Sequence, residues 1–171
     1  MTDLPRYRIV LAKEDFKFSS AHFTLFDGDR TELLHGHNYR VQVELAGSRL
    51  DELGLLADIE GCKRSIRALC GRLDSRTLLP ADSERLRCVR RGDTVEARVD
   101  ERCYSFPAAD TLLLPLVNTS IELLARMLWH DLAPSLRGSR VETLAVSVEE
   151  SAGQGCWYTD VLTAGAPAPS S

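Results

Sequence analysis

Residues 34–45 read LHGHNYRVQVEL, and this stretch decides the fold. Its second half alternates apolar and polar residues, which is the period-two pattern of a half-buried β-strand, so it predicts a strand from about His35 to Leu45. His35 and His37 fall in the apolar phase of that alternation, and both imidazoles therefore point to the same side of the strand. Gly36 between them allows the backbone to approach closely whatever lies between the two rings.

The preceding segment supplies a third histidine. Residues 6–23 are predicted to form one long strand or two strands, and within FKFSSAHF every second residue shares one face. The members of that face are Phe16, Phe18, Ser20 and His22. A polar loop, DGDRTE, separates this segment from the next strand. His22 therefore has the phase to meet His35 and His37 across the sheet.

Three of the four histidines lie within sixteen positions, which predicts a metal site. Three neutral imidazoles without a fourth protein ligand are typical of a catalytic zinc centre that keeps one position open for water or substrate. The residues leave two alternatives open: a pair of surface histidines at HxH, and an imidazole-binding ion other than zinc. The fourth histidine, His130, ends the second predicted helix, where we expect a surface or helix-end cation.

The rest of the chain adds two helices and two strands. An apolar stripe at spacings of three and four predicts the first helix. The stripe consists of Ile59, Cys62, Ile66, Leu69, Cys70 and Leu73. The capping-box pattern from Thr119 to Glu122 begins the second helix, which ends before Pro134. Two strands, RVETLAVSVEE and CWYTDV, follow on either side of the turn residues SAGQG.

This order of elements predicts an α+β fold, with an antiparallel sheet and two helices on one face. Residues 81–113 form an inserted hairpin region, with strands on either side of Gly92-Asp93 and CYSF as an optional third strand. Because there is no internal repeat and no strong linker, we expect one domain over residues 1–162. The small, Pro-rich residues 163–171 are expected to be a disordered tail.

Composition and charge exclude several classes of function. The net charge of −4 gives no electrostatic footprint for nucleic acid, despite local arginine clusters. No apolar run approaches the roughly 18 residues of a membrane span, and the first residues lack the apolar core of a signal peptide. Five cysteines, an odd count without a CxxC pair, are expected to be free thiols in a reducing cytoplasm. We therefore expect a cytoplasmic protein that binds neither nucleic acid nor membrane.

Six motifs, taken in order, resemble the 6-pyruvoyl-tetrahydropterin synthase family, which includes the 6-carboxytetrahydropterin synthases. They are FSSAHF, LHGHNYRV, GLLADIEGCK, LDSRTLLP, NTSIELLARMLW and VSVEESAGQGCWY. The resemblance covers most of residues 8–160 apart from the insertion. It implies the T-fold, in which subunits of a homo-oligomer, commonly a hexamer and otherwise a dimer or tetramer, join their sheets into a barrel with active sites at the interfaces. It also implies Zn²⁺ on His22, His35 and His37, and a reduced pterin substrate resembling 7,8-dihydroneopterin triphosphate.

Carried over residue by residue, the resemblance also assigns a pterin pocket. Glu150 matches the carboxylate that anchors the pterin ring, and its strand phase continues an apolar row. Its two oxygens can accept paired N–H donors from an aminopyrimidine, and a solvent-facing strand-end glutamate is the alternative. Thr119 and Ser120 lie where the family lines its pocket with hydroxyl residues. Simple helix capping is the alternative for both, and it is compatible with lining the pocket.

The sequence departs from the family in the loop before the HxH pair. The synthases use a cysteine there, whereas TLFDGDRTELLHGH contains none. Glu32 instead stands three residues before His35, and the resulting ExxHGH resembles a paralogue class that cleaves dihydroneopterin triphosphate to 6-hydroxymethyl-7,8-dihydropterin, a folate precursor. Glu32 is therefore a candidate general base, with a solvated loop charge as the alternative.

A second departure concerns the proton relay. The family carries an Asp-His pair after the first helix, but here Asp74 is followed by Ser75 and Arg76. Ser75 does not titrate near neutrality, and Arg76 is effectively always protonated. Asp74 is thus a candidate catalytic residue by itself, or it merely pairs with Arg76.

The arginines of the insertion have two interpretations. Guanidinium groups suit phosphate oxygens, so these residues can contact a triphosphate; alternatively they belong to a solvated hairpin or a subunit contact. They are Arg85, Arg87, Arg90, Arg91, Arg98 and Arg102.

The leading hypothesis is a zinc-dependent lyase that cleaves or rearranges the side chain of dihydroneopterin triphosphate, in folate or queuosine biosynthesis. One alternative is a 6-carboxy- or 6-pyruvoyl-tetrahydropterin synthase. Another is a pterin- or purine-binding homologue with little or no catalysis, which the missing cysteine and histidine suggest. The last alternative is a protein in which zinc has only a structural role. The presence of three ligands rather than four argues against this alternative.

Overall fold

A computed structural model describes residues 5–28 and 30–162, so the expected tail at 163–171 lies outside the described residues. Over the described ranges the chain forms ten strands and two α-helices. The strands are β1 (Tyr7–Leu11), β2 (Lys17–His22), β3 (His35–Gly47), β4 (Arg76–Pro80), β5 (Leu86–Arg91), β6 (Thr94–Val99), β7 (Arg102–Pro107), β8 (Thr111–Leu114), β9 (Thr143–Ser151) and β10 (Gln154–Val161), and the helices are α1 (Ile59–Leu73) and α2 (Ile121–Leu132).

The long strand β3 is the centre of the larger sheet, whose order is β10-β9-β3-β2-β4-β8. One edge of β3 pairs with β9, and the other edge is shared by β2 and β1. All of these pairings are antiparallel, as the alternating pattern predicts. Residues 6–23 therefore form two strands, which pair with different parts of the same edge of β3. Of the two alternatives, one long strand or two strands, the structure shows two strands.

Two short strands in the larger sheet were not predicted. β4 pairs in parallel with β2, and β8 pairs in parallel with β4. Their sequences, RTLLP and TLLL, are short apolar runs without alternation, so period-two analysis does not detect them. The last residues of the segment 81–113 consequently belong to the larger sheet.

The main core lies between the larger sheet and the two helices. The inward stripe of α1 is buried as predicted at Cys62, Ile66, Cys70 and Leu73. Helix α2 contacts β9 and β10, and the Trp129 indole N–H donates to the carbonyl of Leu144 at 2.8 Å. Neither helix is long and apolar enough to span a membrane, within the residues that the structure describes.

A smaller antiparallel sheet, ordered β5-β6-β7, is built from residues 86–107 and includes the optional third strand as β7. Its inner face forms a second core with the residues that follow β2 and with β4. We use "second core" for the buried residues Phe23, Leu79, Leu86, Val95, Ala97 and Val99. The small sheet thus packs on the segment that leads from one histidine strand to the next.

Candidate metal centre and active site

The three predicted metal ligands meet at one end of the β2–β3 pair. In the antiparallel register His22 lies opposite His35, and Ser20 lies opposite His37. One ligand nitrogen from each of the three imidazoles lies within 4.8 Å of the others, and the Nε2 atoms of His35 and His37 are 2.9 Å apart. His22 is 1% exposed and the other two rings are half-buried. The cluster is therefore closed on the His22 side and open on the other.

Backbone carbonyls orient two of the three rings. The Nδ1 of His22 lies 2.9 Å from the carbonyl oxygen of Thr119, and the Nδ1 of His35 lies 2.8 Å from that of Leu33. Since a carbonyl can only accept, both Nδ1 atoms carry a proton, and Nε2 is the atom through which each neutral ring can bind a metal ion. The Nε2 of His22 is buried and has no hydrogen-bond partner among the described residues. This is how outer-shell contacts prepare imidazoles for a metal ion.

The cluster fits an ion of the zinc type. Three imidazole nitrogens within 4.8 Å of one another are a donor set that suits Zn²⁺, which binds histidine nitrogen in sites with three protein ligands. Burial, together with the neighbouring imidazole of His35, lowers the pKa of His22 to about 4. His22 is therefore neutral near pH 7, which is the form that binds metal.

Tyr39 forms the floor of the cluster and was not predicted as a site residue. Its ring centroid lies 5.8 Å from that of His22 and 5.6 Å from that of His37, both in edge contacts, and it stacks on Phe18 at 4.7 Å. Burial and the charges of two nearby glutamates raise the pKa of Tyr39. Its hydroxyl has no partner among the described residues. The sequence carried a signal: Tyr39 follows His37 by two positions and shares its phase.

Two carboxylates flank the imidazoles from opposite parts of the chain. An Oε2 atom of Glu32 lies 3.9 Å from the Nε2 of His35, and an Oε2 atom of Glu150 lies 3.8 Å from the Nε2 of His37. The structure therefore brings both predicted glutamates to the predicted metal ligands. Glu150 also accepts a hydrogen bond from the amide of Gln154.

The charge state of Glu32 follows from its surroundings. Its Oε2 accepts from the backbone N–H of Thr24 at 3.0 Å. Burial by itself would raise the pKa of the Glu32 carboxyl, but the hydrogen bond with Thr24 and the charges of His35 and His22 hold it below its ordinary value. Glu32 is accordingly a carboxylate at neutral pH, which is the form that accepts a proton.

Thr119 contacts the cluster through His22, and the hydroxyls of Thr119 and of the next residue, Ser120, are already engaged. The Thr119 hydroxyl donates to the carbonyl of Phe23 at 2.9 Å, and the Ser120 hydroxyl accepts from the N–H of Leu123 at 3.4 Å. Ser120, rather than Thr119, is thus the N-cap of α2. Thr119 acts on the site through its carbonyl, a role that no side-chain motif reveals because every residue has one.

Asp74 is not among the contacts of the histidine cluster. Its Oδ1 accepts from the N–H of Ser19 at 2.7 Å, and its Oδ2 accepts from the hydroxyl of Ser75 at 3.2 Å. Ser75 itself has a left-handed φ of 58°. Arg76 donates to the carbonyl of Ala109, and the described residues show no Asp74–Arg76 ion pair. Among the described residues Asp74 and Arg76 therefore have different partners, and a catalytic role for Asp74 stays a prediction.

An open cleft of about 420 Å³ adjoins this turn. It is lined by Ser19, Ser75 and Asn38, among others. Ser19 and Asn38 alternate with the buried residues of their strands, so their side chains lie on the sheet face opposite the imidazoles. His37 also lines the cleft, so the cleft reaches one of the three candidate metal ligands although Ser19 and Asn38 project from the other face of the sheet.

Comparisons with known proteins agree with this architecture. The family model for 6-pyruvoyl tetrahydropterin synthase matches residues 11–160. A Methanocaldococcus jannaschii protein, provisionally assigned as a 6-carboxy-5,6,7,8-tetrahydropterin synthase, is 32% identical over 149 residues, which are 85% of this chain and 91% of that protein.

Solved structures are similar over nearly the same range. The 6-pyruvoyl tetrahydropterin synthase of Plasmodium vivax matches with a TM-score of 0.85 at 27% identity, covering 91% of this chain and 98% of that one. Two variants of the P. vivax protein, in which a glutamate described as a catalytic residue is replaced by alanine or cysteine, match with a TM-score of 0.81 at 28% identity over the same shares. The predicted α+β T-fold is confirmed, while assembly into a barrel stays a prediction. The chain belongs to the 6-pyruvoyl tetrahydropterin synthase family.

Proposed function

We propose that this chain is a zinc-dependent lyase that cleaves the side chain of 7,8-dihydroneopterin triphosphate, or of a close analogue, and releases 6-hydroxymethyl-7,8-dihydropterin. The observation that carries the proposal is the Glu32 carboxylate, 3.9 Å from His35 in a three-imidazole cluster, on a loop without cysteine. A glutamate described as catalytic in the P. vivax relative supports it. The family to which the chain belongs is one of lyases.

The three histidines would hold the ion. When bound, the ion would lower the pKa of a coordinated substrate hydroxyl and stabilise negative charge on its oxygen. Glu32 then accepts the proton of the side-chain hydroxyl one carbon away from the pterin-bearing carbon. That secondary alcohol becomes an aldehyde as the bond between its carbon and the pterin-bearing carbon breaks. The electron pair of the broken bond remains on the pterin-bearing carbon. That carbon takes up a proton, so the pterin keeps a hydroxymethyl group.

Glu150 would hold the far end of the substrate. Its carboxylate lies 3.8 Å from His37 and keeps acceptor capacity beyond the hydrogen bond from Gln154. Paired N–H donors of an aminopyrimidine match the two oxygens of a carboxylate. Thr119 and Ser120 are proposed to line the pocket without donating their engaged hydroxyls to the ring. Asp74 would assist only across a subunit interface, because within one subunit it contacts Ser19 and Ser75.

The product profile tests this proposal. Zinc-loaded protein is incubated with 7,8-dihydroneopterin triphosphate, and the pterin products are separated. We expect 6-hydroxymethyl-7,8-dihydropterin, and we expect Glu32→Gln to lower kcat by about 10²–10⁴-fold with zinc content unchanged. Glu14→Gln, at an exposed position before β2, is the matched control. Unchanged substrate at high enzyme concentration would overturn the proposal.

Other products or no product would favour the alternatives. A 6-carboxy or 6-pyruvoyl product would assign the chain the reaction after which the M. jannaschii and P. vivax relatives are named. A pterin- or purine-binding homologue with little catalysis is favoured by Ser75, which replaces the relay histidine. That alternative predicts tight pterin binding, weakened by Glu150→Ala, without turnover.

A further inference from the structure

The loop that carries Glu32 has few restraints of its own. We use "Glu32 loop" for the described residues 23–28 and 30–34, which lie between β2 and β3, and its own restraints are those among these residues. Inside it, Glu32 exchanges hydrogen bonds with Thr24, and the N–H of Phe26 donates to the carbonyl of Arg30 at 3.0 Å. These bonds close the loop on itself. They leave open what holds the whole loop against the histidine cluster.

Arg102, the first residue of β7, contacts the loop at the glutamate itself. Its Nη1 donates to the carbonyl oxygen of Glu32 at 2.8 Å and to that of Thr31 at 3.2 Å. The two partners are neighbours in the loop and are about seventy positions away from Arg102 in sequence. A guanidinium that binds two successive carbonyls restrains the backbone from which the Glu32 side chain projects.

Arg85 and Asp100 add a second attachment one residue earlier. The Thr31 hydroxyl donates to Asp100 at 2.6 Å, and Arg85 donates both to Asp100 at 2.9 Å and to the Thr31 hydroxyl at 3.0 Å. Arg85 also donates to the carbonyl of Phe26. Asp100 has a left-handed φ of 53° in the turn between β6 and β7, next to Arg102. Asp100 in the turn and Arg102 at the start of β7 therefore both contact Thr31, one as an acceptor and the other as a donor.

Apolar side chains of the Glu32 loop also pack against the small sheet. Phe23 is fully buried in the second core, and Leu25 and Leu34 pack against it. Both ends of the Glu32 loop are thus attached to the small sheet by side chains, while its middle is attached by hydrogen bonds.

The six arginines of the insertion differ in what they contact, and Arg90 and Arg91 bind only within the hairpin, at the carbonyl of Gly92 and at Glu96. Arg85 donates to the loop through Nη1 and Nη2, and Arg102 donates to it through Nη1. Arg87 and Arg98, which face each other across β5 and β6, are exposed and have no hydrogen bond or ion pair among the described residues. Arg85 and Arg102 therefore hold the loop, whereas Arg87 and Arg98 make no contact with it that would do so.

We propose that the small sheet β5-β6-β7 is a positioning element for Glu32, in which Arg102, assisted by Arg85 and Asp100, holds the Glu32 loop against the histidine cluster. The inference rests on the proposed function, because it takes Glu32 to be the general base of the reaction. Arg102, Arg85 and Asp100 are positioning residues, because they act on the reaction only through the backbone of the Glu32 loop.

The test combines kinetics with hydrogen exchange on the zinc-loaded, full-length protein. We expect Arg102→Ala to lower kcat by ~10–100-fold, since a displacement of about 1 Å has effects of that size. KM and zinc content should stay within about twofold of wild type, because substrate and metal contacts are intact. Amides of residues 24–34 should exchange faster while α1 and α2 are unchanged. Arg102→Lys should recover part of kcat, since one ammonium can reach both carbonyls.

Two further variants separate positioning from general damage. Thr31→Val removes the hydroxyl between Asp100 and Arg85 at nearly constant volume, and we expect faster loop exchange without loss of fold. Arg72→Ala removes an exposed helix–helix ion pair with Asp131 and should change neither kinetics nor loop exchange.

A double-mutant comparison decides how Arg102 acts. If it acts through Glu32, Arg102→Ala combined with Glu32→Gln should be no slower than Glu32→Gln alone. Additive losses with a raised KM would instead mean that Arg102 contacts substrate, and unchanged loop exchange in Arg102→Ala would mean that it does not hold the loop; either result overturns the inference. If Glu32→Gln keeps full activity, the proposed function fails, and the exchange of residues 24–34 still decides whether Arg102 holds the loop.

Discussion

The three histidines and Glu32 reach the same site by different routes. The histidines belong to regular strands, where the period of two and the antiparallel register place three imidazoles together. Glu32 belongs to a loop whose position depends on Arg102, Arg85 and Asp100, residues far away in sequence. The difference teaches that the binding half of this site is built by local geometry, whereas its candidate base is held by long-range contacts.

The two regions should therefore fail in different ways. Damage to a strand histidine should remove the metal and with it all activity. Damage to the loop or its attachments should leave the metal bound and slow the reaction. The measurements below are ordered by the size of the effect that we expect.

Loss of one imidazole should have the largest effect. His37→Ala removes a direct ligand, and we expect zinc affinity to fall by more than ~100-fold, because even outer-shell changes at metal sites cost 10–100-fold. Competition with a chromophoric chelator measures the affinity. His130→Ala is the matched control, since His130 is exposed on α2. If His37→Ala bound zinc as tightly as the wild type, the assignment of the strand histidines as the metal ligands would be contradicted.

Acid should destabilise the metal-free protein through His22. Burial lowers its pKa from 6.5 to about 4 in the folded state. Between these values the unfolded chain binds a proton that the folded protein does not, so the stabilisation is complete above pH 6.5 and lost as pH falls towards 4. The shift corresponds to about 3 kcal/mol. Urea unfolding of the metal-free protein and of His22→Asn should show the difference between their unfolding free energies shrinking by about this amount; a constant difference would contradict the prediction.

The smallest effect is expected at the other end of the loop. The Asn118 side chain accepts from the N–H groups of Leu25 and Thr119 and donates to the carbonyl of Leu25. It therefore joins the start of the Glu32 loop to the residue whose carbonyl orients His22. We expect Asn118→Ala to lower the unfolding free energy by about 1–3 kcal/mol, the cost of leaving buried backbone groups unpaired. Thermal unfolding measures it.

Asn118→Asp sharpens the comparison. It keeps both acceptor contacts and loses only the donor to Leu25, so its loss of stability should be the smaller of the two. Equal losses would show that the acceptor contacts contribute nothing.

Much of the fold could be predicted because its signals are periodic. The stripes of α1 and α2, the alternation along β3 and the strand pair β9–β10 all appear in the structure. β4 and β8 were missed, because short apolar runs have no period that separates a buried strand from a buried turn of helix. The separation of Asp74 from the histidines was also beyond sequence reasoning, since it depends on which face of β2 the end of α1 meets.

By itself the sequence determined the histidine cluster and the family: the phase of His22, His35 and His37 is a property of the strands that contain them. Only the tertiary structure decided the rest of the site. It assigned Thr119 to orienting His22 through a carbonyl, placed Tyr39 under the imidazoles, and set the small sheet against the Glu32 loop. The physical reason is that strand periodicity acts between near neighbours, whereas carbonyl contacts and loop attachments join residues whose sequence carries no mark of their partner.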